Sequence, residues 1–319
     1  MKQARIRWWG VVGMWVVLVG VAGAATVRRD AGRPELRLVD TDTLLAPGGE
    51  LPRRGAGEEV VRHAGFGLVY SEQHEQARWV AYELTAAETQ RRFERTDRFL
   101  VDPRVGTGTA TDEDYAGSGY DRGHLAPAAD MGWSEATMRE SFYYSNMSPQ
   151  VPGFNRGVWK RLEELVRTWA VEYGAIYVVT GPVLQPGLPT IGPHGVAVPR
   201  QYFKVILDAR EPGLKAVGFL VQNASSSAPL AQFAVPIDSV ERVTGLDFFP
   251  GLPDAREAQL EREVCVPCWT WTSAPTGGGG EGAAGESVRC TGTTQKGERC
   301  KRMTRSPNGR CYQHGGNLP

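Results

Sequence analysis

The tetrapeptide Asp121-Arg122-Gly123-His124 places a carboxylate, a guanidinium and an imidazole within four residues. On an extended strand Arg122 and His124 project to the same face. That pairing suits work on a phosphate ester: the guanidinium grips anionic oxygens while a neutral imidazole takes a proton from water. Gly123 between them permits an unusual backbone angle or a close approach. Taken alone, the tetrapeptide more often marks a hydrogen-bonded structural histidine.

A second patch follows, Ser145-Asn146-Met147-Ser148-Pro149-Gln150, then Phe154-Asn155-Arg156-Gly157-Val158-Trp159 and Leu162-Glu163. Asn155 and Glu163 stand eight positions apart, about two turns of helix, so they share a face. Asn155 offers a neutral oxygen to a hard cation, and Glu163 can order the waters that complete an octahedral shell. The competing assignment makes Asn155 a helix cap and Glu163 a solvated surface charge. His63, His74 and His194 have no charged partner close in sequence and are assigned to turns, loops or the N-terminal arm.

All five cysteines, Cys265, Cys268, Cys290, Cys300 and Cys311, lie in the last fifth of the chain, so the main body folds without disulfides. Cys290, Cys300, Cys311 and His314 supply three sulfurs and an imidazole, a full tetrahedral set for Zn²⁺. A module of about 30 residues has little core and needs a metal or disulfide staple. Disulfides are the rival, although five cysteines cannot all pair within the chain. Cys265 and Cys268 are placed to pair with each other or to stay reduced. Zinc ligation or a redox role are their other options, the redox one lacking a thioredoxin-like context.

The elements that must position these groups are legible in part. Gly67–Tyr70 and Arg78–Leu84 read as strands joined by a turn at Glu72–Glu75. Thr85 either starts a helix or leads into an extended Arg91–Leu100 segment. Residues 101–123 are polar and Gly-rich, a long loop of the kind that carries function. A helix is expected to Tyr144 with Ser134 as its N-cap. The strongest helix runs from Phe154 to Tyr173, with Val158, Leu162, Leu165, Val166 and Trp169 at helical spacing and Gly174 as its stop. Strands are expected at Ala175–Thr180, Tyr202–Leu207 and Ala216–Val221, and a helix at Ile237–Thr244. Strands and helices without regular alternation argue for an α+β class.

The N-terminus reads as a secretory signal over residues 1–25: Lys2, Arg5 and Arg7, an apolar run from Trp8 to Val21, then Ala22-Gly23-Ala24. It implies export, to the periplasm or the exterior; the less favoured alternative is an uncleaved membrane anchor. Residues 26–64 read as a loosely ordered arm, 65–272 as the folded domain, 273–287 as a Gly-rich flexible linker, and 288–319 as the Cys/His module. The whole chain has no net charge, but residues 288–319 hold seven Lys/Arg against one Glu, and residues 25–287 hold 26 Lys/Arg against 35 Asp/Glu. The body's overall field therefore does not attract nucleic acid, and chemistry on it must rely on local cations and a metal, with the tail as a further source of attraction.

In order and spacing, Tyr120 to Pro127, Ser145 to Gln150, Asn155, and Trp159 through Leu162-Glu163 resemble the DNA/RNA non-specific endonuclease family, the ββα-metal nucleases. The resemblance continues through Val179-Thr180-Gly181-Pro182, Pro199 to Leu207 and Thr244 to Phe249, and spans roughly Gly65 to Leu260. It implies an α+β ββα-metal fold with a central, mainly antiparallel sheet flanked by helices. It also implies a Mg²⁺-dependent (or Mn²⁺-dependent) enzyme acting on DNA and RNA. By the same resemblance His124 is the general base and Asn155 the direct protein ligand of the metal. Glu163 holds metal-bound water, Asn146 lies near the scissile phosphate and Arg122 near the active centre. The family's upstream phosphate-binding arginine corresponds to Arg95 or Arg98, between which the sequence does not decide. Asp121 is assigned an orienting or structural role.

The resemblance implies 5′-phosphate and 3′-hydroxyl ends, and since a water nucleophile needs no ribose 2′-hydroxyl, both DNA and RNA should be cut. Family members are often homodimers. An inhibitor protein fits a toxin or periplasmic role, although no sequence feature reveals one. The tail resembles a short zinc-binding module appended to bacterial and phage proteins. Two other functions compete: a nucleic-acid binder that has lost catalysis, and a surface adaptor acting through the Cys/His tail. Intact His124, Asn155 and Glu163 favour the enzyme.

Overall fold

The computed structural model describes residues 51–210, 213–272, 288–293, 299–300 and 303–304. The expected signal segment, residues 26–50 of the arm, the linker 273–287, and Cys311 and His314 lie outside the described residues. None of the described helices is long and apolar enough to cross a membrane.

Among the described residues 51–272 the strands are β1 (Val61–Arg62), β2 (Gly67–Ser71), β3 (Gln76–Thr85), β4 (Asp121–His124), β5 (Met147–Gln150), β6 (Ala175–Pro182), β7 (Thr190–Ile191), β8 (Val196–Ala197), β9 (Gln201–Asp208), β10 (Lys215–Gln222) and β11 (Ala234–Val235). Seven of them form one sheet in the order β1-β2-β3-β6-β9-β10-β11, with every neighbouring pair antiparallel. The described α-helices are α1 (Asp112–Tyr115), α2 (Glu135–Glu140), α3 (Lys160–Tyr173), α4 (Ile237–Thr244) and α5 (Asp254–Arg262).

Period-two alternation divides the core between the two faces of this sheet. Val80, Tyr82 and Leu84 of β3, Ile176 and Val178 of β6, and Tyr202 and Ile206 of β9 face α3, whose Leu162, Leu165, Val166, Trp169 and Ala170 cover them. Trp79, Ala81, Tyr177, Val179, Phe203, Val205 and Leu207 face the other way, onto α4 (Ile237, Val240) and Leu246, Phe248 and Leu252. Trp169, at the middle of α3, is fully buried; removing such a side chain costs about 3–5 kcal/mol. α3 stops at Gly174, whose φ of 81° is open to glycine and strained for other residues.

Several expectations shift. Residues 51–62, assigned to a loose arm, belong to the fold: Leu51 is buried in the second core, Arg53 N–H donates to the Asp247 carbonyl, and β1 extends the sheet. Thr85 does not start a helix. Its amide and hydroxyl donate to Glu88 and its hydroxyl accepts from the Glu88 amide, but only a turn follows before an irregular segment to Leu100. The helix expected to Tyr144 ends at Glu140, with Ser134 capping it by accepting from the Thr137 amide at 3.1 Å. The expected helix from Phe154 is α-helical only from Lys160, because Phe154–Trp159 is a π-turn.

Candidate active site

β4 and β5 form a separate two-stranded antiparallel ladder, pairing Asp121 with Gln150, Arg122 with Pro149, Gly123 with Ser148 and His124 with Met147. Ser148 anchors it to the main sheet, its hydroxyl donating to Gln76 of β3 at 2.5 Å and lying 2.6 Å from the Tyr202 hydroxyl of β9. Gly123 is required by close approach: a Cβ there would sit 2.1 Å from the Gln150 side chain.

Asn146 locks the strand end. Its Oδ1 accepts from the Ala126 amide at 2.9 Å, and its Nδ2 donates to the carbonyls of Ala126 (2.9 Å) and Ser141 (2.8 Å). The side chain is fully buried and wholly committed to backbone groups. Asn146 is expected near the scissile phosphate; here its amide is spent on backbone groups, and it ties the residues after His124 to the segment before Met147.

His124 is 8% exposed, and its Nε2 is buried without a protein partner. Phe142 meets the imidazole edge-on at 4.9 Å and Phe99 lies 6.0 Å away. Burial, and then the charge of Arg95, lower its pKa to about 3, so the ring is neutral at ordinary pH. Arg95 lies over the Phe142 ring at 5.0 Å, which places it on the His124 side. Arg98 lines a neighbouring cavity of about 460 Å³ with Phe93, Leu100 and Met138. Of the two arginines the sequence left open, the geometry thus brings Arg95 to His124.

Arg122 stacks over Phe99 (5.1 Å) and Tyr115 (5.6 Å), and donates to the Tyr144 hydroxyl (2.9 Å) and Asp112 Oδ1 (2.7 Å). Phe99 thus lies against both Arg122 and His124.

Asp121 holds the other end of the ladder. It accepts from Arg156 Nε at 2.8 Å and Nη2 at 2.5 Å, and from Asn155 Nδ2 at 2.9 Å. The Asn155 amide nitrogen is thereby committed, and its carbonyl oxygen is left to coordinate. In a regular helix, eight residues overshoot two turns by about 80°. Here the chain between them is a π-turn in which Gly157 leaves the helical conformation (φ −110°, ψ −107°), so the regular eight-residue spacing does not carry across it.

Glu163 sits above a buried charge cluster that the sequence did not disclose. Arg167 Nη1 donates to Asp130 Oδ1 at 2.7 Å, and the Tyr82 hydroxyl donates to Asp130 Oδ2 at 2.8 Å. Lys204 is fully buried, with Nζ 4.8 Å from the Trp159 ring centre and no hydrogen-bond acceptor. Burial raises the Glu163 pKa above the usual carboxylate range, opposed by Lys204 and Arg167. Burial lowers Lys204, with Glu163 pulling the other way. One clue was available: Lys204 is a lone cation in an apolar strand, on the same alternation as Tyr202 and Ile206, which point at α3.

The donor set fits a hard divalent cation. It combines a neutral amide oxygen oriented through Asp121, the Glu163 carboxylate of the helix that follows, and an unpartnered imidazole nitrogen. His63 and His194, which have no charged partner close in sequence, find one across the fold: His63 Nε2 lies 2.9 Å from Asp102, and His194 Nδ1 2.9 Å from Asp114.

A family profile described as DNA/RNA non-specific endonuclease matches residues 51–255. The chain belongs to that family. Human mitochondrial Endonuclease G is 42% identical over 156 residues, 45% of this chain and 52% of that protein. Nuclease C1 from Cunninghamella echinulata var. echinulata is 34% identical over 248 residues, 71% of this chain and 94% of that protein. The crystal structure of an EndoG/EndoGI complex superposes with a TM-score of 0.58 at 33% identity, over 62% of this chain and 89% of that one. The chain spans about half the length of the Endonuclease G relatives. The large antiparallel sheet with few helices is the ββα-metal nuclease architecture that the family resemblance implied.

In the tail, Cys290 and Cys300 are buried together, and the Gly292 amide donates to Cys290 Sγ at 3.3 Å. Cys265 and Cys268 form a disulfide.

Proposed function

We propose that this chain is a metal-dependent endonuclease that hydrolyses phosphodiester bonds of DNA and RNA. The observation that carries it is a buried, neutral His124 beside Arg95, on the same short ladder whose Asp121 fixes Asn155. A divalent cation, Mg²⁺ or Mn²⁺, held by Asn155 would supply Lewis-acid stabilisation of charge on a non-bridging oxygen and on the leaving 3′ oxygen. His124 takes a proton from the attacking water. The water oxygen bonds to phosphorus, the bond to the 3′ oxygen breaks, and that oxygen takes up a solvent proton. The ends are a 5′-phosphate and a 3′-hydroxyl. Arg95 adds positive charge where the phosphoryl group becomes more negative. Arg122, held by Asp112, Tyr144 and two aromatic faces, supports the wall beside it. Glu163 orders water at the cation.

Two subsidiary proposals come with it. The N-terminal charge and apolar run support export, and the Cys265–Cys268 disulfide suits an oxidising compartment. The adjacent Cys290 and Cys300 supply half of a zinc set completed by Cys311 and His314.

The test incubates the purified chain with plasmid DNA and with single-stranded RNA, in Mg²⁺ or in EDTA, beside His124→Ala. Mg²⁺-dependent degradation of both, reduced by orders of magnitude in the variant, is expected. A folded protein that binds nucleic acid without cutting it under any of these conditions returns the function to the binding alternative.

A further inference from the structure

On the sheet face opposite α3 and His124, carboxylates converge between α4, the loop after it and α5. Ligand oxygens of Asp238, Glu241 and Glu261 lie within 4.8 Å of one another, and so do those of Asp247, Glu257 and Glu261. Glu261 belongs to both groups and so stands at the centre. It is only 9% exposed, and its Oε1 is buried with no hydrogen-bond partner, as is Oε1 of Glu257. The charges acting most strongly on Glu261 are all negative: Glu241, Glu257, Asp238 and Asp247. Arg53 pairs with Asp247 from outside, and the Phe248 amide donates to Glu241 Oε1 at 2.9 Å. Neither bonds to Glu261. Burying a carboxylate without a partner is strongly unfavourable, and four further carboxylates around it add repulsion. A single bound cation removes both penalties.

We propose that Asp238, Glu241, Asp247, Glu257 and Glu261 form a structural site for a calcium-class divalent cation, separate from the nuclease centre. All the donors are carboxylate oxygens, and they come from two helices and a loop rather than a rigid octahedral frame. That suits the larger, more adaptable Ca²⁺ better than Mg²⁺. The cation clamps α5 to α4. It thereby fixes the intervening chain, whose Leu246, Phe248, Phe249 and Leu252 fill the second core.

The test is thermal unfolding of the whole chain carrying Asn155→Ala, which removes the catalytic ligand, in EDTA and in excess Ca²⁺. Calcium is expected to raise Tm by about 5 °C. The shift should vanish when Glu261→Gln is added, and that variant in EDTA should melt no lower than its parent because repulsion is relieved. Absence of a calcium shift in the parent, or an equal shift with Glu261→Gln, overturns the site. Asp238→Asn leaves the buried carboxylate in place. It should weaken calcium affinity in a terbium-displacement titration, and unchanged affinity overturns the site as well. No substrate enters these measurements, so their failure leaves the nuclease proposal standing.

Discussion

His124 is kept unprotonated by its surroundings, at a cost in basicity. An unprotonated imidazole is the working form, and burial with Arg95 nearby lowers its pKa from 6.5 to about 3. The sign follows directly: as pH falls through 6.5, His124 stays unprotonated and competent. A bound cation would push it in the same direction. The kcat/KM profile should therefore show no acid limb belonging to His124 near its ordinary pKa. Burial raises the Glu163 carboxyl and a cation beside it would lower it again, so an acid limb, where one appears, is assigned to Glu163 and not to His124. A limb near 6.5 that persists in Glu163→Gln would contradict this assignment. The arginines separate by the same reasoning. Arg95→Ala should cost about 10²–10³ in kcat, the usual loss when a transition-state charge partner is removed. Arg98→Ala, which touches the neighbouring cavity, should cost less than about tenfold. Single-turnover cleavage of a defined duplex measures both, and the reverse order would move the phosphate contact to Arg98.

The β4–β5 ladder converts these residues into a site, and it depends on two small details. Gly123 admits the Gln150 side chain at a distance no Cβ tolerates. Gly123→Ala should destabilise the protein by about 1–3 kcal/mol through overpacking and lower cleavage as His124 shifts. Denaturant unfolding beside activity reads both, and unchanged values would show that Gln150 yields freely. Asn146→Ala strands the Ala126 amide and carbonyl and the Ser141 carbonyl, and should cost a few kcal/mol. Asn146 also marks where sequence reading stopped. An asparagine beside an active centre fits a phosphate contact and a backbone lock equally well, and only the hydrogen-bond partners tell them apart. Strands β6, β9 and β10 and helix α4 were legible because apolar periodicity is a local signal. The π-turn at Phe154–Trp159 was not, since it changes the turn without changing the apolar pattern. The Asp130–Arg167 pair and Lys204 escaped because their partners come from β3, α3 and β9, and nothing local specifies that meeting.

At the scale of the molecule, the charge distribution bears on how substrate is held. Residues 25–287 carry 26 Lys/Arg against 35 Asp/Glu, while residues 288–319 carry seven against one. An acidic body gains little from long-range steering, and its grip on a polyanion must come from short-range contacts. A basic tail joined through a linker adds the missing counter-charge. Each phosphate it neutralises releases condensed counterions and steepens the fall of log K with log salt by about 0.9. The comparison is between the full chain and a chain ending at residue 287, both carrying His124→Ala so that the ligand survives. Binding to a short duplex is measured across a salt series. The full chain should bind more tightly at low salt, with a slope steeper by several units, and the two should converge as salt rises. Parallel lines of equal affinity would remove the tail from substrate binding and leave its cysteines with a purely structural or partner-binding role.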